Sequence, residues 1–401
     1  MIKSIRIKNF RCLRDVTVAL DSLTVLVGPN GSGKSTLLDA IVTLARLTRS
    51  PLHGKSGEFD FGRPGWQGSA SFEQAVFAQN PRSDIHFDAE LTSPTGEGRY
   101  TVILGRHDNR LQVMAETLRW VGNGLDVDLD LERDSIELKA YREPVSLRLP
   151  RDATLPFRVY PLRHELAEHP VVRAGLAVQR ALGPSHIHEF VPSRLAAPAP
   201  HLDLMRSDGY GLVSVLDEAL GRNRQSFENI ERDLQALFPE VVGLVIQPFP
   251  KRRGEKELLL RMRSASTSYQ TIEVPAGMAP SGVLVVIALL WVLHFHPYAV
   301  VSLDEIEVHM HPWLLGKLLR MVEQIANDSQ VLLATHSPET LNMLGTLDPV
   351  RICESTTDGC RILSPAQDFN NQRNLKELFQ QAVGAMWFSG QLGGVPVESD
   401  K

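Results

Sequence analysis

The chain has 401 residues, 43% of them hydrophobic and 22% charged, enough to bury the core of one large domain or two ordinary ones. Its net charge of -5 speaks against a surface coated in positive charge, so any contact with nucleic acid needs a local basic patch. The three cysteines, Cys12, Cys353 and Cys360, form no CxxC pair, which argues against a zinc framework and fits plain thiols in a reducing compartment.

From Met1 to Phe10 apolar and polar residues alternate as in a strand, without the apolar stretch of a secretion signal, so a cytoplasmic location is expected. Strands are predicted at Ile2–Ile7, Val16–Leu20 and Leu23–Val27. A glycine-rich turn follows, then a helix over Ser35–Leu47. Short alternating runs broken by Gly and Asp from Ile85 to Arg148 predict an antiparallel sheet. Helical spacing prevails from Pro161 to Phe238, and strands return over Val241–Met262. Val283–Phe295, the most apolar run, is too short for the roughly 20 residues of a membrane span and reads as a buried helix. From Gly282 onward helix and strand alternate again. There is no internal repeat and no sustained heptad pattern.

The chemistry is concentrated in four segments. Gly28-Pro-Asn30-Gly31-Ser32-Gly33-Lys34-Ser35-Thr36 fits the P-loop pattern GxxxxGK[ST] between a predicted strand and a predicted helix. There the glycines let backbone N–H groups face phosphates, Lys34 reaches the β and γ phosphates and the Ser35 hydroxyl ligates Mg2+. ATP with Mg2+ is the expected ligand. A second strand ends in Leu303-Asp304-Glu305. On its own this is an ordinary strand running into an acidic turn; beside a P-loop it reads as a Walker B strand, with Asp304 holding Mg2+ and Glu305 acting on the attacking water. A third apolar strand ends in Thr335-His336-Ser337; a lone strand-end histidine is usually structural, but in this order His336 is a candidate to touch the γ-phosphate. Ser281 and Gly282, at the start of the apolar helix, are either a plain helix cap or a phosphate-facing loop.

Taken together these segments resemble the RecF and SMC-like branch of ABC ATPases, and most closely the stand-alone ATPases related to the OLD (overcoming lysogenisation defect) family. The resemblance includes Ile5-Arg-Ile-Lys-Asn9-Phe10-Arg11, Phe190-Val-Pro-Ser193-Arg194, Asp208-Gly-Tyr-Gly-Leu212 and Leu303-Asp304-Glu305-Ile-Glu307-Val-His309-Met-His311-Pro312. Ile306 stands at the group's usual proline, and Pro280 where its signature serine is expected. The resemblance implies an α/β fold: an ABC-type P-loop NTPase head with a mixed central sheet, an antiparallel β-subdomain and an inserted helical lobe. The expected division is a discontinuous head over 1–145 and 236–370, a mainly helical lobe over 146–235, and a C-terminal helix and tail over 371–401.

It also implies an ATPase working as a homodimer or higher oligomer. Each site would join Lys34, Ser35, Asp304, Glu305 and His336 of one copy to Ser281 and Gly282 of the other, with Arg11 near the nucleotide and Glu307 and His309 facing the partner. The long stretch between Lys34 and Asp304 separates the chain from transporter subunits, and the short one after His336 leaves no room for a Toprim nuclease domain. Two roles follow: a DNA-associated ATPase in antiviral defence or genome maintenance, or a switch on a separate nuclease or toxin effector that does not touch DNA. Double-stranded DNA is thus one expected partner and a membrane is not.

Other clusters read more plainly. Asp126, Asp128 and Asp130 alternate with apolar residues as on a solvated strand, and Leu131 stands where a calcium loop needs glycine. His164 and His169 are five apart and share no helix face. Lys251-Arg252-Arg253 is either a solvated hairpin or a phosphate contact. Gln67, Gln74 and Gln79 all compete for the Q-loop position, and Trp387 with Gly393-Gly394 fits docking on this chain or a partner.

Overall fold

The computed structural model describes residues 1–364 apart from 55–56, 64–68, 81, 132–134, 140–143, 149–150, 184, 265–269, 296–298, 327–328 and 345. Gln67, Trp387 and the expected tail over 371–401 therefore lie outside the described residues. In chain order the first part holds β1 (Ile2–Phe10), β2 (Leu13–Ala19), β3 (Leu23–Val27), α1 (Lys34–Leu47), a minimal ladder β4 (His53–Gly54) and β5 (Gly57–Glu58), and α2 (Phe72–Ala75). Four long strands follow, β6 (Ile85–Ser93), β7 (Gly96–His107), β8 (Arg110–Gly122) and β9 (Leu125–Asp130), then the hairpin β10 (Ser135–Lys139) and β11 (Pro144–Arg148). The middle runs through α3 (Leu155–Val159), α4 (Pro170–Leu182), β12 (Ser185–His188), α5 (Pro192–Leu195), α6 (Leu212–Arg222), α7 (Arg224–Leu237), β13 (Val241–Pro248), β14 (Lys256–Arg263) and β15 (Thr271–Pro275). The last part is α8 (Ser281–Phe295), β16 (Val300–Asp304), α9 (Pro312–Ile325), β17 (Gln330–Thr335), α10 (Pro338–Met343), β18 (Val350–Thr356) and β19 (Gly359–Leu363).

Two six-stranded sheets organise these elements. One has the order β12-β16-β17-β3-β18-β19, parallel except for the β18–β19 hairpin. Strands β3, β16 and β17 are buried at every residue, as continuous apolar runs are when a parallel sheet is covered on both faces. The second, β2-β1-β6-β7-β8-β9, is antiparallel. Its strands alternate, Ile85, Phe87, Ala89 and Leu91 pointing into a core shared with α1 and α4. A second core on the other side of the parallel sheet is filled by α6 to α9. There α8 is apolar on all sides and is buried from Val283 to Leu293, since a helix with no polar face has to be enclosed. Among the described residues no helix is long and apolar enough to cross a membrane.

The expected helical lobe over 146–235 needs correcting. Ser185–His188 within it is a strand that runs parallel to β16 at the edge of the central sheet, and α4 packs on α1 and on the antiparallel sheet. Both belong to the head. Four residues reading Ser-His-Ile-His carry too little apolar signal to show a strand in sequence; pairing beside β16 is what makes them one.

Candidate functional site

The site lies where the parallel strands end. Strand β3 runs into residues 28–33, which turn back on themselves with Gly31 at φ 78 and Gly33 at φ 97 before α1 begins at Lys34. Gly33 needs to be glycine twice over. Its φ is left-handed, and a β-carbon there would stand 2.6 Å from the Cys360 sulfur. Lys34 is 5% exposed and its Nζ donates to the carbonyls of Gly28 at 2.8 Å and Pro29 at 3.1 Å. Asn30 to Thr36 and Glu305 line a cavity of about 230 Å3, the cradle of backbone N–H groups and helix N-terminus that a polyphosphate requires.

Beside it is a second cavity of about 440 Å3, lined by Arg11, Ser35, Asp39, Arg63, Glu189, Asp304 and Glu305 among others. Asp304 ends β16 at 4% exposure, and its Oδ1 is buried with no hydrogen-bond partner. Its other oxygen accepts from Arg63 at 3.1 Å. Arg63 also donates to Asp39 at 2.9 Å and Glu189 at 2.7 Å, so one guanidinium ties together three carboxylates from α1, the end of β12 and the end of β16. Arg11 donates to Asp39 too, and to the Phe61 carbonyl at 2.9 Å. Burial raises Asp304 above the ordinary aspartate value, outweighing the opposing pull of Arg63 and Ser35. Burial likewise raises Glu189 against Arg63. For Arg63 itself burial is outweighed by Asp39 and Asp304, which hold its pKa up.

Glu305 follows in the left-handed region, φ 53 and ψ 42, with its N–H on the Ala334 carbonyl at 3.0 Å. That backbone is costly for a residue with a side chain and is the kind of strain found where a side chain must be aimed. Here it brings Glu305 into the lining of both cavities. The His336 ring, at the end of β17, has Nδ1 3.5 Å from Glu305 and 3.8 Å from Glu307. Glu307 is nearly buried and accepts from the Thr335 hydroxyl and from the His336 N–H at 3.3 Å, so it fixes the turn that carries the histidine.

Of the residues singled out in the sequence, Asn30 to Thr36, Arg11, Asp304, Glu305 and His336 therefore gather at one place. Ser281 and Gly282 do not: they start α8, Ser281 exposed, and line neither cavity. Near them Met278 is 80% exposed, and Val308 and Trp313 are exposed beyond Glu307. The His309 side chain lies outside the described residues. Gln74 closes a capping box on Ser71, and Gln79 sits in a left-handed turn; neither lines either of these two cavities. The Asp126, Asp128 and Asp130 side chains alternate outward on β9, and His169 caps α4 by accepting from the Val171 N–H. Sequence reasoning missed Asp39, Arg63 and Glu189. Asp39 was accessible, one turn beyond Ser35 on the same helix face; the other two come into place only through packing.

Residues 1–86 match the family model described as "AAA ATPase domain", and residues 199–342 the one described as "AAA domain, putative AbiEii toxin, Type IV TA system". An OLD nuclease of Thermus scotoductus is 56% identical over 41 residues, 10% of this chain and 8% of that protein. Chromosome partition protein Smc of Rhodopirellula baltica is 28% identical over 148 residues, 34% of this chain and 12% of that protein. The matches thus span only a small part of the length of these curated relatives. Among solved structures, the SMC head bound to the C-winged helix domain of ScpA aligns with a TM-score of 0.50 at 13% identity, covering 92% of this chain and 99% of that one. At that identity the likeness is one of fold, an α/β P-loop ATPase head.

Proposed function

We propose that this chain, an ATPase of the SMC/RecF/OLD-like group, hydrolyses ATP between two copies of itself, and that the nucleotide gates this dimer in DNA-associated antiviral defence or genome maintenance. The observation that carries the reading is the gathering of Lys34, Ser35, Asp304, Glu305 and His336 at the ends of three adjacent strands, β3, β16 and β17, while the exposed Ser281 and the half-buried Gly282 stand elsewhere. A second copy supplying its own Ser281 and Gly282 would complete the phosphate cradle with another helix N-terminus.

The donor set fits Mg2+: a buried Asp304 Oδ1 without a partner, beside the Ser35 hydroxyl, in a cavity edged by carboxylates. Ser35 and Asp304 would hold the ion, which when bound neutralises phosphate charge. The remaining chemistry belongs to side chains. Lys34 offsets charge on the β and γ phosphates. Glu305, aimed by its left-handed backbone, orients the attacking water and takes up its proton, and His336, held by the Glu307 turn, faces the γ-phosphate. Arg11 and Arg63 offset part of the charge of the four carboxylates, Asp39, Glu189, Asp304 and Glu305, that line the larger cavity.

The deciding measurement is ATP turnover with and without duplex DNA, with Lys34→Ala as the blank for contaminating activity. Turnover raised several-fold by DNA supports the DNA-associated role. Turnover indifferent to DNA favours a second reading, an ATPase switch on a separate effector, which the toxin–antitoxin description of the match over residues 199–342 supports. No turnover above the blank overturns both. For DNA contact the surface to test is the exposed Lys251-Arg252-Arg253 turn between β13 and β14, where Arg252 pairs only loosely with Glu255 at 3.4 Å. Neutralising all three should lower the salt dependence of DNA binding by a slope of about 2 to 3.

A further inference from the structure

All three cysteines of the chain meet at the P-loop, although they are far apart in sequence. Cys353 on β18 lies under Gly28, where a β-carbon would stand 3.2 Å from its own. Cys360, at the start of β19, donates its thiol to the Ser32 carbonyl at 2.7 Å. Cys12, in the turn between β1 and β2, is 3.5 Å from the Thr36 hydroxyl. Gly33 is wedged between the last two: a β-carbon on it would lie 2.6 Å from the Cys360 sulfur and 3.2 Å from the Cys12 sulfur. The two sulfurs are therefore within about 6 Å of each other, with no side chain on Gly33 to separate them.

We propose that Cys12 and Cys360 form a dithiol oxidation site whose disulfide, made by a hydroperoxide, disables the P-loop. The backbone already holds the pair in register, since the Cys360 N–H donates to the Cys12 carbonyl at 2.8 Å. With standard backbone dimensions this limits the Cα–Cα separation to about 6.7 Å, inside the range of about 4.4 to 6.8 Å that a disulfide spans. Cys12 is only partly buried and open to a small oxidant, whereas Cys360 lies behind it. Proximity to the Cys360 thiol, with lesser help from Thr36 and Arg11, lowers the Cys12 thiol below the usual range, which fits Cys12 as the attacking thiolate. Burial pushes Cys353 the other way, to about 12, which leaves it inert.

In the reaction the Cys12 thiolate attacks the O–O bond and becomes a sulfenic acid, and the alcohol or water leaves. The Cys360 sulfur then displaces water from that sulfenic acid. Two thiols and one hydroperoxide give one disulfide, one alcohol (water when the oxidant is hydrogen peroxide) and one water, the two electrons passing from the sulfurs to the O–O bond. The new bond removes the thiol donor from the Ser32 carbonyl and draws both sulfurs together beneath Gly33. That residue sets the left-handed turn into α1, so the N–H groups aimed at phosphate lose their arrangement.

This inference rests on the P-loop binding ATP, and the experiment separates the two. The full chain is treated with hydrogen peroxide, alkylated, digested without reductant and examined by mass spectrometry for linked peptides. ATP affinity is measured by calorimetry before treatment, after it, and after dithiothreitol. The expected result is a Cys12–Cys360 linked peptide, ATP binding weakened at least tenfold, and recovery on reduction. In Cys12→Ser, and independently in Cys360→Ala should the first variant fold poorly, the ratio of affinities before and after peroxide stays within twofold. Absence of the linked peptide, or equal peroxide sensitivity in the variants, overturns the proposal. A linked peptide in a protein that binds no ATP when reduced overturns the gating step together with the ATP reading, and leaves the thiol pair itself standing.

Discussion

Glu305→Gln keeps the shape of the side chain but not its basicity, so ATP turnover should fall by about 10^2 to 10^3-fold while ATP binding persists. Turnover assays together with light scattering, which should report an ATP-dependent dimer, check both halves of that expectation. The P-loop glycines offer a finer contrast. At Gly31 a β-carbon meets nothing within 4 Å, so Gly31→Ala carries only the penalty of φ 78, about 1 kcal/mol. At Gly33 the same change adds a clash with Cys360, and calorimetry should find ATP binding abolished there and only weakened at Gly31. Arg63→Ala leaves Asp39 and Asp304 buried without their shared cation. It should lower stability by about 3 kcal/mol, and adding MgATP should raise the melting temperature more than it does for the unaltered chain.

At the scale of elements, β8 carries a consequence of its own. Glu116 is buried there, and it accepts from the Tyr100 hydroxyl on β7 and from the Leu155 N–H at the start of α3, through both oxygens at 2.9 and 3.0 Å. Burial raises it from 4.5 to about 7, against the pull of those hydrogen bonds. Between these two values the folded chain keeps a proton that the unfolded chain releases. Stability should therefore fall as pH rises from about 4.5 to about 7, by roughly 2 to 3 kcal/mol, and level off above. Urea midpoints at pH 5 and pH 8 should differ less in Glu116→Gln. None of this coupling was legible in the sequence, where Glu116 reads as one polar residue of an alternating strand. What was legible rested on local rules: the P-loop from fixed spacing between strand and helix, β16 and β17 from unbroken apolar runs with polar ends, and α8 from apolar residues on every face. The charge cluster of Asp39, Arg63 and Glu189 was not, because its members lie on separate elements and meet only after the central sheet forms. The strand β12 stayed hidden for the same reason: its four residues become a strand through their neighbour rather than their own pattern.

For the whole molecule, dimer gating makes a prediction about the surface around α8. Ser281→Arg on the exposed helix start should leave ATP binding to a single copy intact and prevent the ATP-dependent dimer, which light scattering of the Glu305→Gln background would register as a persistent monomer. The sheet topology bears on how such a molecule is made. Among the described residues strand β3, which feeds the P-loop, pairs with β17 and β18 alone, strands that begin at Gln330 and Val350. On a ribosome adding about 5 to 20 residues per second, the P-loop strand would be synthesised roughly 15 to 60 seconds before either neighbour. Through that interval the apolar run Leu23–Val27 lacks both of its sheet partners. The sheet that holds the P-loop is thus completed late in translation, and a truncated product ending before Gln330 would carry an intact P-loop sequence without a neighbouring strand to hold it.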